Sequence, residues 1–222
     1  MTDRPLAEEP HERIDLGQFG HPAIVPPTAV TCTRLDSIDR VIQPALIADD
    51  LLLRPLDTSD SAALAVAYSR NREHLAAWEP LRGESFFTTE GQAADVDAQL
   101  QSAGSGASVP LVLVDASAGT IVGRATLSGL VRGPVQSANL GYWIDGALNG
   151  RGLATAVVGA VVGASRNELG LHRLQAATLR HNAASQRVLE RNGFERIGSA
   201  PRYLKIAGRW QDHDLFQRIL HD

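Results

Sequence analysis

Ala138-Asn139-Leu140-Gly141-Tyr142-Trp143-Ile144-Asp145, followed three residues later by Asn149-Gly150-Arg151-Gly152-Leu153-Ala154-Thr155 and an Ala/Val-rich run, decides the fold class. The first block reads as a strand and the second as a loop that opens a helix. Glycines at 150 and 152 let the backbone take dihedrals closed to other residues and come close to a ligand. The free amides at the following helix N-terminus attract anions. The stretch points to a pyrophosphate-bearing cofactor held largely by backbone.

Two familiar phosphate loops do not fit. Thr155 stands where the third glycine of a dinucleotide fingerprint belongs, and no first strand of a parallel sheet precedes the glycines. No Gly-Lys-Ser/Thr follows them, so nothing reaches a transferring γ-phosphate, which disfavours a kinase or ATPase. The segment does resemble the acyl-CoA loop of the GNAT acetyltransferases. Their Gln/Arg-x-x-Gly-x-Gly/Ala pattern is met by Gly152 and Ala154, with Asn149 replacing the usual first residue. Downstream, His181-Asn182-Ala183-Ala184-Ser185, ending in Asn192-Gly193-Phe194, resembles that family's second CoA segment. Asn71-Arg72-Glu73-His74-Leu75 with Trp78-Glu79-Pro80, and the run from Tyr203 to His213, resemble the early helix and closing hairpin of the ribosomal-protein-alanine N-acetyltransferase branch (RimJ and RimL type). The matches extend from about Leu51 to Leu220.

The resemblance implies an α/β (α+β) fold with a central mixed, mostly antiparallel twisted sheet, flanked by helices and splayed at the acetyl-CoA site. It implies that the backbone of Tyr142, Trp143 and Ile144 binds pantetheine as an added strand would. Asn149, Gly150, Arg151, Gly152, Leu153, Ala154 and Thr155 would hold the pyrophosphate, with Asn182 and Ser185 as further cofactor contacts. Ala156 departs from the glutamate common in this branch. The catalytic candidates are Glu79 and Ser185, which the resemblance places at the acceptor channel and the CoA thiol, with Glu79 as general base or amine anchor, together with His213 as a titrating group and Tyr142 and Tyr203 as channel-wall aromatics able to donate a proton to sulfur. Each has a plainer competitor. Asn182 is also a helix-cap residue type, and Ser185 can bond within its helix. Glu79 can be a turn residue, Asp212 and His213 a salt-bridged pair, and Trp143 and Trp210 packing residues.

The resemblance implies an amine acceptor. A peptide α-amine, with a pKa of about 7.7–8.0, is appreciably neutral near neutral pH, so a modest base suffices; a lysine amine near 10.4 is not. Direct attack within a ternary complex needs no enzyme nucleophile, and no Gly-x-Ser-x-Gly elbow is present. The remaining histidines, His11, His21, His74, His172 and His221, are scattered, which argues against a metal. The expected acceptor is a protein N-terminus of the ribosomal-protein alanine type; the alternatives are a small amine such as an antibiotic or toxin, or a non-catalytic CoA-binding module.

Composition agrees with a cytoplasmic enzyme. Hydrophobic residues make up 44% and charged residues 21%, and a net charge of −4 leaves no overall basic footprint for nucleic acid. A single cysteine, Cys32, cannot form an internal disulfide, and neither a membrane span nor a signal peptide is expected. Six of the eleven prolines fall within the first 47 residues. Residues 1–47 are therefore read as an extension, partly disordered or draped over a domain of residues 48–222, and a homodimer is the expected assembly. Strands are expected over 51–56, 111–114, 121–127, 139–145 and 173–179, and a final hairpin closes the chain. Helices are expected over 57–76, 88–102 and 183–192 and after the glycine loop, with Gly159 and Gly163 on a face that approaches the sheet.

Overall fold

In this computed structural model, which describes residues 42–222, the chain alternates strands with helices around one sheet. The strands are β1 (Ala45–Ala48), β2 (Leu51–Pro55), β3 (Ser108–Asp115), β4 (Thr120–Val131), β5 (Ser137–Ile144), β6 (Arg173–Leu179), β7 (Glu195–Ile206) and β8 (Arg209–Ile219). The helices are α1 (Ser61–Arg70), α2 (Arg72–Leu75), α3 (Thr89–Gly104), α4 (Leu153–Asn167) and α5 (Ala183–Arg191). The sheet order is β1-β2-β3-β4-β5-β6-β8-β7, antiparallel except between β5 and β6.

The central strands are covered on both faces, and strand alternation decides which core each residue joins. Leu111 and Leu113 of β3 join Val157, Val158 and Val161 of α4 in the larger core. Val112, between them, points the other way and packs with Leu64 and Tyr68 of α1 and Val96 of α3. Phe216 on β8 is 2% exposed within the larger core. Phe216→Ala is expected to cost about 3–5 kcal/mol, read as a lower urea midpoint at unchanged slope; a loss under about 1 kcal/mol would mean that this end of the core is loose.

Local signals account for most boundaries. Thr88 caps α3 by accepting from Gly91 N at 3.1 Å, and Asn182 caps α5 by accepting from Ser185 N at 3.1 Å. Gly193, at φ +69, ends α5 in the left-handed conformation. In the β3–β4 turn the Asp115 carboxylate accepts from Ser117 N and Ala118 N.

Four expectations change. The continuous helix over 57–76 is broken: a 3-10 turn at Thr58–Asp60 precedes α1, and Asn71 leaves helical geometry between α1 and α2. Its side chain is engaged elsewhere, as described below. The boundary drawn at residue 47 falls inside β1, which pairs with β2, and Ile42 is buried in the larger core; the rest of the extension, with Cys32, lies outside the described residues. Gly159 faces Asn192, whose Oδ1 lies 3.1 Å from where a Cβ would sit, and not the sheet. Gly163 has nothing comparably close.

Candidate active site

The parallel strands β5 and β6 pair only over Ser137–Asn139 and Arg173–Gln175. Beyond Asn139, β5 stays paired with β4 as far as Ile144, but among the described residues no strand covers its other edge. The amides and carbonyls along that edge are therefore free to bond an extended ligand, and the gap between the strands is the centre of the site.

One cavity, of about 440 Å³, runs from this gap to the start of α4. Its walls include Tyr142, Trp143, Ile144, Asn149, Gly150, Gly152, Leu153, Ala154, Thr155, Asn182 and Ser185, so nine of the loop and strand positions named from sequence, together with Asn182 and Ser185, meet in one cleft. Arg151 does not line it and is exposed. Gly150 and Gly152 have φ of +77 and +79, which glycine adopts without strain, and a Cβ at either would meet nothing within 4 Å, so the loop leaves open space beside its backbone. Gly152 caps α4 without a side-chain bond, leaving the amides of the first turn directed at the cleft. Arg187 and Arg191 of α5 add positive charge.

The loop is anchored from α1. Asp145 accepts from Arg70 Nε at 2.7 Å, from Asn71 Nδ2 at 3.0 Å and from Ala147 N at 3.0 Å, while Asn71 Oδ1 accepts from Gly146 N at 2.9 Å. Burial pushes the Asp145 carboxyl up, but these bonds and the Arg70 charge hold it below the ordinary carboxylate range. His74, placed outside the site from sequence, lines the cleft with its Nε2 3.4 Å from Asn149 Nδ2.

A second cavity, of about 390 Å³, lies between α1, α3, the segment 78–82 and the β7–β8 hairpin. It shares Trp78, Tyr142, Trp143, Asn182 and Ser185 with the first, so the two meet at those residues. At the junction the Tyr142 and Ser185 hydroxyls are 2.9 Å apart. Burial pushes the Tyr142 phenol up to about 12, against the opposing Ser185 bond, so it remains a neutral donor at any working pH.

Glu79 and His213 also line the second cavity. Burial pushes the Glu79 carboxyl above its ordinary value; Arg82 and Arg124 pull it back and Asp95 adds to the rise. Its closest cation is Arg82, with Nε 3.9 Å from Oε2. Arg124 is buried, donates to Tyr68 Oη at 3.2 Å and to Gln99, and lies 3.8 Å from Asp95. Tyr68 also accepts from Trp143 Nε1 at 3.3 Å, which makes Trp143 part of a polar wall as well as a packing residue. This buried Arg124 network was not identified from sequence.

His213 and Asp212 do not pair. His213 is buried, with Nδ1 2.9 Å from Gln211 O, while Asp212 is exposed and accepts from Arg202 N at 2.9 Å; neighbouring strand residues point to opposite faces. Tyr203, 43% exposed, sets its ring 5.7 Å from that of His213 but lines neither cavity. Trp210 is 62% exposed, contrary to its reading as a packing residue.

Residues 50–195 match the model of the acetyltransferase (GNAT) domain. The chain belongs to the GNAT acetyltransferase family. It is 32% identical over 74% of its length to the probable N-acetyltransferase YjcK of Bacillus subtilis, covering 91% of that protein. It is 34% identical over 77% of its length to the ribosomal protein uS5-alanine N-acetyltransferase of Escherichia coli, covering 88% of it. Among solved structures, ribosomal-protein-S5-alanine acetyltransferase from Vibrio fischeri superposes with a TM-score of 0.77 at 31% identity, over 81% of this chain and 98% of that one. RimJ of Mycobacterium smegmatis, solved with a CoA disulfide, gives 0.72 at 29% identity, over 76% and 81%. The protein is an N-acetyltransferase of the GNAT type related to ribosomal-protein acetyltransferases, and acetyl-CoA fits as its acyl donor.

Proposed function

We propose that this N-acetyltransferase transfers acetyl to the α-amine of a protein N-terminus, of the ribosomal-protein alanine type, by direct attack in a ternary complex. The observation that carries this reading is the meeting of two open cavities at Tyr142 and Ser185, with a half-buried carboxylate, Glu79, in the second. The names of the uS5-alanine relatives agree with it.

Acetyl-CoA supplies an activated thioester. The edge of β5 holds its pantetheine arm, and residues 149–155 with the N-terminus of α4 hold its pyrophosphate. Asn182 fixes the start of α5 and so the place of Ser185. Glu79 anchors the incoming ammonium and takes its proton; the raised carboxyl makes it a better base near neutral pH than an exposed glutamate. His213, whose Nδ1 is committed to Gln211 O, is the second candidate for that proton through Nε2. The Tyr142 phenol, steadied by Ser185, donates to the departing sulfur.

Tyr142→Phe is expected to lower kcat by about tenfold to a hundredfold, with little change in the Michaelis constant for the amine and no change in the pH profile below the phenol's own range. An unchanged kcat would remove the phenol from the chemistry. The chemical identity of the acceptor is tested by mapping the product: tandem mass spectrometry of an Ala-starting peptide that also contains lysine should place the acetyl on the α-amine. Acetyl on the lysine side chain would overturn the proposal.

A further inference from the structure

The β7–β8 hairpin carries an exposed group of side chains that the acetyl-transfer site does not use. One face of it, through Leu204, Ile206 and His213, lines the acceptor cavity. Lys205 and Trp210 are opposite one another in register and so project together from the other face. Trp210 is 62% exposed and Leu204 at the rim 42%. Arg202, Lys205 and Arg209 are all exposed, and none forms an ion pair among the described residues, whereas Arg196 lower on β7 pairs with Asp214 at 2.7 Å. The nearest acid in sequence, Asp212, is engaged by Arg202 N. In a chain of net charge −4, this is a local concentration of unneutralised positive charge beside an exposed indole.

The hairpin is held in place at its turn. Ala207 N donates to Glu79 O at 2.9 Å, and Leu81 lies against Gly208, its Cδ1 2.7 Å from where a Cβ would sit. From His213 to the turn is about five strand positions, or roughly 16 Å, a span that an extended acceptor covers with about four or five residues. A small amine confined to the cavity reaches none of these cations.

We infer that the tip and outer side of the β7–β8 hairpin dock an acidic stretch of the acceptor polypeptide, beginning at about its fifth residue. This rests on the reading of the acceptor as a protein N-terminus, and it makes acidity beyond the first residues a determinant of which proteins are modified.

The test uses Ala-starting peptides of about twelve residues that share their first four and carry acidic, neutral or lysine-rich continuations, with the tetrapeptide alone as a reference. The full chain should prefer the acidic over the lysine-rich continuation by about tenfold in kcat/KM, chiefly through KM and less as salt is added. K205E/R209E should reverse that preference while still turning over the tetrapeptide, which separates docking from misfolding. Equal kcat/KM on all three long peptides, or an unaltered preference in K205E/R209E, would overturn the inference and leave N-terminal acetylation standing. Competitive inhibition by a single-stranded RNA oligonucleotide, without any preference among the peptides, would also overturn it. No turnover on any free N-terminal peptide would instead sink the parent reading.

Discussion

Gly152→Val is expected to weaken acetyl-CoA binding by about a hundredfold or more while leaving the domain folded. Gly152 sits at φ +79 as the cap residue of α4, a conformation that a β-branched residue adopts only under strain. The strain, about 1–3 kcal/mol, is small beside the roughly 5–15 kcal/mol that holds a domain together, so the fold survives. It is relieved by shifting the loop, which turns the first amides of α4 away from the cleft. Each amide bond to a charged phosphate is worth about 1.5–3 kcal/mol, so losing two accounts for the expected weakening. No atom lies within 4 Å of the added Cβ, so a simple clash is not the cause. Calorimetric titration with acetyl-CoA, alongside far-UV circular dichroism, measures both halves; unchanged affinity in a folded variant would remove residues 149–155 from cofactor binding.

Glu79→Gln is expected to lower kcat by roughly 10²- to 10⁴-fold, and the surviving activity should lose its acid limb. The wild-type rate should fall as pH drops through the Glu79 value, above where an ordinary carboxylate titrates, because burial raises it. Glutamine cannot titrate, so the limb disappears. Glu79 lines the second cavity and not the cleft proposed for acetyl-CoA, so the affinity for acetyl-CoA should hold. Stability has the opposite sign. A carboxyl raised on folding stabilises fully below its unfolded value and loses that contribution as pH rises through its folded value. Glu79→Gln should therefore be no less stable than wild type at neutral pH, and slightly more if the buried charge is costly. An unshifted rate and profile would pass the role of base to His213.

What could be read from residues alone was whatever is encoded locally. The Gly150-Arg151-Gly152 loop before an Ala/Val run marks its own backbone conformation and the helix it opens, and Thr88 and Asn182 are caps by side-chain type. β1 was hidden because its four residues carry an exposed Leu46 and too few positions to show a period. Asn71 looked like one more helical residue because the groups that draw it out of the helix, Asp145 and Gly146, lie 74 and 75 positions away in sequence. His74 meets Asn149 across a similar separation, from a helix of four residues. Arg124 showed only as a charge within a strand; its burial depends on Tyr68, Asp95 and Gln99 arriving from two helices. Trp210 is exposed for the complementary reason, since an aromatic beside a tight hairpin turn has little left to pack against.

The most direct measurement is release of free CoA thiol from acetyl-CoA by the purified full chain, with Ala-, Ser- and Met-starting peptides, their N-blocked copies and small amines including aminoglycosides as acceptors. Turnover on unblocked Ala or Ser peptides, absent from the blocked copies, is the expected result. Turnover confined to the small amines, or saturable acetyl-CoA binding with no turnover on any amine, would contradict N-terminal protein acetylation.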